Sequence, residues 1–319
     1  TVTEIGTNLF SGCTALKTVK LPSTIPAIEQ GMFKDCTSLA TIELPETITT
    51  IEQSAFQNAG LTELTLPKNV TTIENYAFDG CTGLAQITFN ESLKTIGAYV
   101  FRNDDAMTEL TLPDNVTTIG EYAFQDCDGL TAAVISDSVT SIGAYIFAHC
   151  DSLKDVRLGT GITKIPAYAL NLCPELQKIV LPYRVSTVDA NAFTNCTKLT
   201  EITIPRETTS ISTSAFSYPD RLTIYGISGT YAETYANQIG AAFVNREVHA
   251  EKITLNHTAL SMLKGANQAL VMRVEPEDFT DEVVWAGNNP DILEVDSAGK
   301  ITAKAVGTAT VRVAVGGQT

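Results

Sequence analysis

Residues 109–130 read ELTLPDNVTTIGEYAFQDCDGL, and close variants of this stretch fill most of the chain. An isoleucine or valine opens each copy. The ten opening residues are Ile5, Ile28, Ile51, Ile73, Ile96, Ile119, Ile142, Ile165, Val188 and Ile211. Successive openings are 23 residues apart, except for a step of 22 between Ile51 and Ile73. A fixed period of this length predicts a solenoid of stacked coils.

The apolar positions within each copy predict how the coils are built. The residues that form a ladder five positions after the opening are Phe10, Phe33, Phe56, Phe78, Phe101, Phe124, Phe147, Leu170, Phe193 and Phe216. Segments such as Leu64-Thr65-Leu66 alternate with the period of a strand, and a proline such as Pro67 then ends the ladder of hydrogen bonds. We expect parallel strands on one face of the solenoid, with a short extended piece and one helical turn forming the opposite wall.

The sequence changes character after the tenth copy. Residues 227–250 are predicted to form a cap and linker, since Thr230 and Glu233 fit a capping box and Gly240 can end the helix. Residues 251–319 show alternating strands separated by turns, which predicts a small antiparallel sandwich with Trp285 in its core. The predicted domains are therefore 1–226, 227–250 and 251–319. The first residues resemble the tail of a preceding copy, so we expect further repeats upstream.

Composition limits the classes of function. Lys and Arg number 21 against 36 Asp and Glu, and the net charge of −15 argues against nucleic acid or anionic lipid as the main partner. The longest apolar runs are far shorter than the ~20 residues of a membrane-spanning helix, so we expect no transmembrane segment in this chain. No apolar leader follows Thr1, so a signal peptide is expected to be absent from this sequence.

The cysteines are expected to be structural. All seven occupy one repeat position, eight residues after the opening residue, and they are Cys13, Cys36, Cys81, Cys127, Cys150, Cys173 and Cys196. This placement favours small buried side chains over disulfides, a nucleophile or a metal cluster. The three histidines are scattered and no triad spacing occurs. We therefore expect no enzyme activity, no metal and no cofactor.

Two surfaces are candidates for partner binding. On the predicted strand face, the uniform Thr and Glu pattern is interrupted by Lys154, Asp155, Arg157 and Lys178, which could bind an acidic partner or be a solvated sheet face. The second surface is a strip of tyrosines, one per coil, which could recognise a partner or merely pack the edge. Its members are Tyr76, Tyr99, Tyr122, Tyr145 and Tyr168.

The repeat unit is similar to the BspA-like leucine-rich repeats of bacterial surface proteins. Residues 283–313, VVWAGNNPDILEVDSAGKITAKAVGTATVRV, resemble the bacterial immunoglobulin-like (Ig-like) group 2 domain. The resemblance implies a leucine-rich-repeat solenoid, β-rich with short helical turns and α/β by convention, followed by a small all-β Ig-like sandwich. It also implies an exported, cell-surface protein in which the repeats bind and the Ig-like module is a spacer.

These observations lead to a function prediction with two alternatives. We expect a monomeric, non-enzymatic extracellular or surface protein that binds or adheres to a protein or glycan through the repeat array. The first alternative is a structural envelope or spacer module without a dedicated ligand. A carbohydrate-active protein is the least supported, because it needs paired carboxylates in a cleft and the strand-face acids lie in distant coils. Those acids are Glu43, Glu63, Glu109 and Glu201.

Overall fold

The computed structural model describes residues 5–316 and 318–319. The array contains two rows of short parallel strands. The two-residue strands are Ala27–Ile28, Thr50–Ile51, Thr72–Ile73, Thr95–Ile96, Thr118–Ile119, Ser141–Ile142, Lys164–Ile165, Thr187–Val188 and Ser210–Ile211. The longer strands are Glu63–Thr65, Gln86–Thr88, Glu109–Thr111, Ala132–Val134, Asp155–Arg157, Lys178–Val180, Glu201–Thr203, Thr223–Gly226 and Ala242–Asn245. We call the surface formed by these longer strands the long-strand face.

Strand pairing follows the sequence period. Ile28 pairs with Ile51 and Ile51 with Ile73, so the opening residue of each coil lies beside that of the next. Equivalent phenylalanines stack inside the array, with ring centroids 5.2 to 5.5 Å apart between consecutive rings. Most of these rings are fully buried. One coil cannot enclose such a ladder, so each coil depends on its two neighbours for its core.

The turns between the two rows differ from the predicted helical turn. Each turn closes through amides that donate to the carbonyl three residues earlier, as from Ser11 to Asn8 and from Cys13 to Phe10. Two left-handed residues, four positions apart, recur in most coils, for example Tyr122 with φ of 58° and Asp126 with φ of 56°. A left-handed residue reverses the direction of the chain and stops a right-handed helix. The array turns in the described residues are therefore hydrogen-bonded turns rather than helices.

The predicted cap is a helix from Tyr231 to Ile239 that covers the last coils. Its Tyr235 is fully buried, and the phenol donates to the carbonyl of Ser212 at 3.0 Å. Gly240 ends the helix in the left-handed conformation, as expected. The predicted capping box forms only in part, because Glu233 accepts the amide of Gly229 while the Thr230 hydroxyl bonds to a carbonyl. A short 3-10 helix, Pro219–Arg221, precedes the cap.

The C-terminal unit is an antiparallel assembly of seven strands. They are Lys252–Leu255, Asn267–Ala269, Met272–Glu275, Val283–Gly287, Leu293–Val295, Lys300–Ala303 and Val311–Val315. Its core contains Met272, Val274, Phe279 and Val313. Trp285, which the sequence predicts in the core, is only partly buried and packs against this cluster. No helix in the described residues is long and apolar enough to cross a membrane.

Candidate functional site

The long-strand face carries two columns of outward side chains. In the first column, Glu63 pairs with Gln86 and Glu109 with Ala132. The 23-residue period continues this column through Asp155, Lys178 and Glu201. The members of the second column are Thr65, Thr88, Thr111, Val134, Arg157, Val180 and Thr203. The threonines from 65 to 111 are exposed, whereas the members from 134 to 203 are half-buried.

The structure does not gather the predicted charged group into one basic patch. Lys178 pairs with Glu201 in the next strand and follows Asp155 in the column, so its nearest column neighbours are acidic. Lys154 precedes the strand. The pKa of Glu175 is lowered mainly by its hydrogen bond with Lys198, to which the charge of Lys154 adds. Arg157 stands in the other column and points toward Asp137. Lys154, Arg157 and Lys178 therefore lie in one region of the face, but each has different charged neighbours.

Arg157 lies under the Ig-like unit. Its guanidinium donates to both oxygens of Asp137 at 2.9 and 3.0 Å and also donates to the carboxylate of Glu277. Two further contacts link the same surfaces. The Thr160 hydroxyl donates to the Met272 carbonyl at 3.0 Å, and the Tyr183 ring lies 5.4 Å from that of Phe279. The Ig-like unit therefore rests on the long-strand face of the array.

A cleft of about 240 Å³ remains where the two units meet. Its lining is mainly apolar and includes Val134 and Val180. Its charged members are Asp155, Arg157, Lys178 and Glu277. Burial raises the pKa of Tyr183 at this junction to about 12. Sequence reasoning missed the Ig-like contact altogether. The available signal was the replacement of threonine by Val134 and Val180 on either side of Arg157.

The tyrosine strip is a continuous stack. Ring centroids lie 4.5 to 4.6 Å apart, with planes within 10° of parallel. Each tyrosine is half-buried and has φ of 58° to 60°. Because neighbouring rings cover each other's faces, the strip presents mainly edges and hydroxyl groups. Burial and the adjacent phenols raise the pKa of Tyr122 and Tyr145. This geometry is typical of tyrosines that pack against one another along the edge of the array. The polar groups that the strip presents are the tyrosine hydroxyls.

The cysteines form a ladder of hydrogen bonds. Six of the seven are buried, and each of these thiols lies 3.0 to 3.1 Å from the carbonyl of the ladder residue in the coil before it. Cys127, for example, donates to the carbonyl of Phe101. Burial raises the pKa of Cys127 and Cys150, which keeps these thiols protonated. Cys13 is exposed, so the expectation of burial is wrong for that residue.

Asp104 occupies the cysteine position of the fifth coil. It is fully buried, and neither carboxylate oxygen has a hydrogen-bond partner. Burial and the nearby Asp79 carboxylate raise the pKa of Asp104. Asp79 itself is held by Arg102 at 2.8 and 3.1 Å, and that guanidinium lies over the Tyr99 ring. The sequence analysis did not predict this buried acid without hydrogen-bond partners.

Where the remaining histidines and acidic side chains in the described residues meet, they form pairs rather than larger clusters. No group of three or more His, Cys, Asp or Glu side chains among them is placed to hold a metal ion. His149 lies 3.8 Å from Asp126, and His249 lies 2.8 Å from Asp281 in the other unit. His249 is exposed, whereas its partner Asp281 is mostly buried.

Comparison with known proteins identifies both parts of the chain. The model described as a BspA type leucine rich repeat region matches residues 3–131 and 117–237, with six copies. The model described as a bacterial Ig-like domain of group 2 matches residues 249–319. These matches cover the array with its cap and the C-terminal unit.

Individual relatives match smaller parts. An uncharacterized protein of Clostridium acetobutylicum is 39% identical over 61 residues, which are 19% of this chain and 15% of that protein. Lacto-N-biosidase of Bifidobacterium bifidum is 42% identical over 53 residues, which are 17% of this chain and 5% of that enzyme. A solved leucine rich cell surface protein from Faecalibacterium prausnitzii is 32% identical with a TM-score of 0.49, covering 72% of this chain and 64% of that chain. The chain thus spans less than two thirds of each of these relatives.

Proposed function

The chain belongs to the BspA-type leucine-rich repeat family and carries a bacterial group 2 Ig-like domain, and on this premise we propose that it is a non-enzymatic surface protein that binds a macromolecular partner through its array. The binding part is the long-strand face in coils 3 to 5. The partner is a protein or a glycan that presents basic or hydroxyl groups.

One observation carries this proposal. In the strands Glu63–Thr65, Gln86–Thr88 and Glu109–Thr111, both outward columns are exposed, while the residue between them is wholly or partly buried. The face therefore presents a row of Glu and Gln beside a row of Thr, repeated about every 4.8 Å. Such regular spacing positions acceptors and hydroxyl groups for an extended partner without disturbing the core. Further along the chain, the Ig-like domain covers the equivalent face.

The charge of this face indicates the kind of partner. Glu63 and Glu109 are exposed. A groove of about 520 Å³ next to Glu63 is also lined by Glu43 and Glu46. A chain of net charge −15 attracts basic surfaces and repels acidic ones. A neutral glycan would instead use the threonine hydroxyls and the carboxylates as hydrogen-bonding groups.

A binding screen tests the proposal. The full chain is presented to immobilised matrix proteins and a glycan array, and each hit is measured again with two charge-matched variants. Glu63→Thr with Glu109→Thr changes the long-strand face, while Asp105→Thr with Glu121→Thr changes exposed acids elsewhere on the array. The proposal expects weaker binding by the first variant only. Equal affinity of both variants for a confirmed partner would refute it.

A structural spacer is the second candidate function. It is favoured by the continuous phenylalanine and tyrosine ladders. Because these rings stack from coil to coil, they should resist bending of the array. A spacer has no dedicated ligand, so the screen would return no hit that responds to either variant.

A further inference from the structure

The region of the long-strand face around Arg157 and Tyr183 already holds a segment of the same chain. That segment is residues 276–282 of the Ig-like domain, PEDFTDE, which we call the docking loop. It places a carboxylate, Glu277, on Arg157 and an aromatic ring, Phe279, against Tyr183. The two anchors are separated by one residue. The surface thus receives an acidic side chain and a ring from one short loop.

The docking loop keeps its shape through contacts outside the array. The Asp278 carboxylate forms an ion pair with the Arg246 guanidinium at 2.7 Å. The Thr280 hydroxyl oxygen accepts a hydrogen bond from the Val248 amide at 2.8 Å, and the Asp281 carboxylate accepts one from the Ala250 amide at 2.7 Å. These partners belong to the linker. Arg246 is itself joined to the array, since its amide donates to the Gly226 carbonyl, but the bonds from Val248 and Ala250 would still hold the loop after release. A preformed loop loses little conformational entropy on docking.

The array side is prepared for this segment. Val134 and Val180 stand where four other coils carry threonine, and they line the cleft on either side of Arg157. Asp137 holds the guanidinium in place through two hydrogen bonds, so the charge stays ordered without the loop. Phe279 belongs to the Ig-like core and Tyr183 packs against that core from the array side, while Glu277 remains substantially exposed. The docked arrangement thus combines an apolar contact with a charged pair at its edge.

We propose that this surface is a second binding site, for an acidic-aromatic protein segment, and that the docking loop occupies it as an internal ligand. An external segment with a carboxylate two residues before an aromatic ring binds there by displacing the Ig-like domain. The inference deepens the proposed function, because it rests on the array being the binding part and names the chemistry of one partner class. The site lies in coils 6 to 8, apart from the open face of coils 3 to 5.

Competition follows from the covalent link. A short tether gives the internal ligand an effective concentration in the millimolar range. A free peptide whose dissociation constant for the open site is about 0.1 mM would then bind the closed chain roughly tenfold more weakly. A substitution that releases the docking loop from the array should restore the tenfold higher affinity for the free peptide.

The test uses the full chain and a fluorescent peptide of residues 274–283, VEPEDFTDEV. Glu277→Lys reverses the charge opposite Arg157 at an exposed position of the loop. Glu251→Lys makes the same charge change at an exposed position elsewhere in the Ig-like domain. Fluorescence anisotropy should show about tenfold tighter peptide binding by the Glu277→Lys chain than by the native and Glu251→Lys chains. Adding Arg157→Thr to Glu277→Lys should remove the binding, as should Gln in place of Glu277 in the peptide.

Two measurements keep the outcome clear. The unfolding transition reported by the single tryptophan, Trp285, checks that each variant retains a folded Ig-like domain. Small-angle scattering should show a larger radius of gyration for Glu277→Lys alone. Absence of peptide binding by a folded, opened chain would overturn the inference, while leaving a partner of coils 3 to 5 unaffected. A native dimer that Glu277→Lys converts to a monomer would also overturn it, since the occupant would then be a second copy.

Discussion

Asp104→Cys is the substitution whose effect the structure specifies most fully. Six other coils bury a thiol at this position and direct it to the carbonyl of the ladder residue one coil earlier. At the fifth coil the corresponding carbonyl belongs to Phe78, which accepts the amide of Cys81. The carboxylate oxygens of Asp104 have no partner. Cysteine at this position would restore the missing donor and remove the buried acid.

The expected gain has two parts. Removing a buried polar group without hydrogen bonds is worth about 1–3 kcal/mol. The second part depends on pH, because burial and Asp79 raise the pKa of Asp104 in the folded chain. Above about pH 4 the unfolded chain releases this proton while the folded chain retains it. The free energy of unfolding of the native chain then falls by about 1.4 kcal/mol per pH unit, until Asp104 ionises in the folded state.

Urea denaturation followed by far-ultraviolet circular dichroism measures this difference between pH 5.5 and pH 8. The Asp104→Cys chain should be more stable throughout, and its advantage should grow as the pH rises. Glu109→Gln is the matched control, because this acid of the same coil is exposed and its change should stay within about 0.5 kcal/mol. A variant no more stable than the native chain, or an advantage independent of pH, would refute the reasoning.

Further predictions concern the ladders, the thiols and the linker. Phe124→Ala should lower the free energy of unfolding of the array by about 3–5 kcal/mol, and a loss below 1 kcal/mol would argue against a continuous core. Tyr122→Gly should leave the array about 1 kcal/mol more stable than Tyr122→Ala, because only glycine adopts φ of 58° without strain; equal stabilities in urea would contradict this. A thiol reagent should label Cys13 quickly in the native chain and all seven cysteines after denaturation, whereas rapid native labelling of several sites would contradict the buried ladder. Hydrogen bonding and charge from Asp281 raise the pKa of His249, so this pair stabilises the fold below about pH 6.5 and its contribution is lost as the pH rises through the folded-state value. His249→Gln should abolish that part of the pH dependence in tryptophan-monitored unfolding, and an unchanged pH profile would show that the pair has no such effect.

The array was predictable because its information is periodic. Ile28, Ile51 and Ile73 recur at one spacing and pair in register, and the stacked phenylalanines follow from the same period. The turns were not predictable in the same way. Left-handed residues there include Tyr122, Leu172 and other types that rarely adopt this conformation. Stacking between coils stabilises these left-handed residues, and the residue types alone do not reveal this stacking.

The cysteines show the same limit. Their shared position predicts burial, but the direction of each thiol depends on a carbonyl in the previous coil. Cys13 shares the repeat position, yet it is exposed. Asp104 stands out in the sequence as a change of residue type, yet its missing partners become evident only when the neighbouring coils are placed around it.

The candidate site shows a different limit. Lys154, Asp155, Arg157 and Lys178 interrupt the pattern of the strand face, and the partner site predicted there stays a prediction. Arg157 contacts Glu277, which lies 120 residues away along the chain, and no repeat period connects the two. A sequence pattern can therefore show that a surface is specialised without showing which part of the same chain contacts it.

Carboxyl footprinting tests the central claim, that the open long-strand face of coils 3 to 5 contacts the partner, most directly. The full chain is labelled with a carbodiimide and an amine, alone and in complex with a partner found in the screen, and the modified carboxylates are quantified by mass spectrometry. Labelling of Glu63 and Glu109 should fall in the complex, while labelling of Asp105 and Glu121 should stay unchanged. Unchanged labelling at Glu63 and Glu109 in a saturated complex would contradict it.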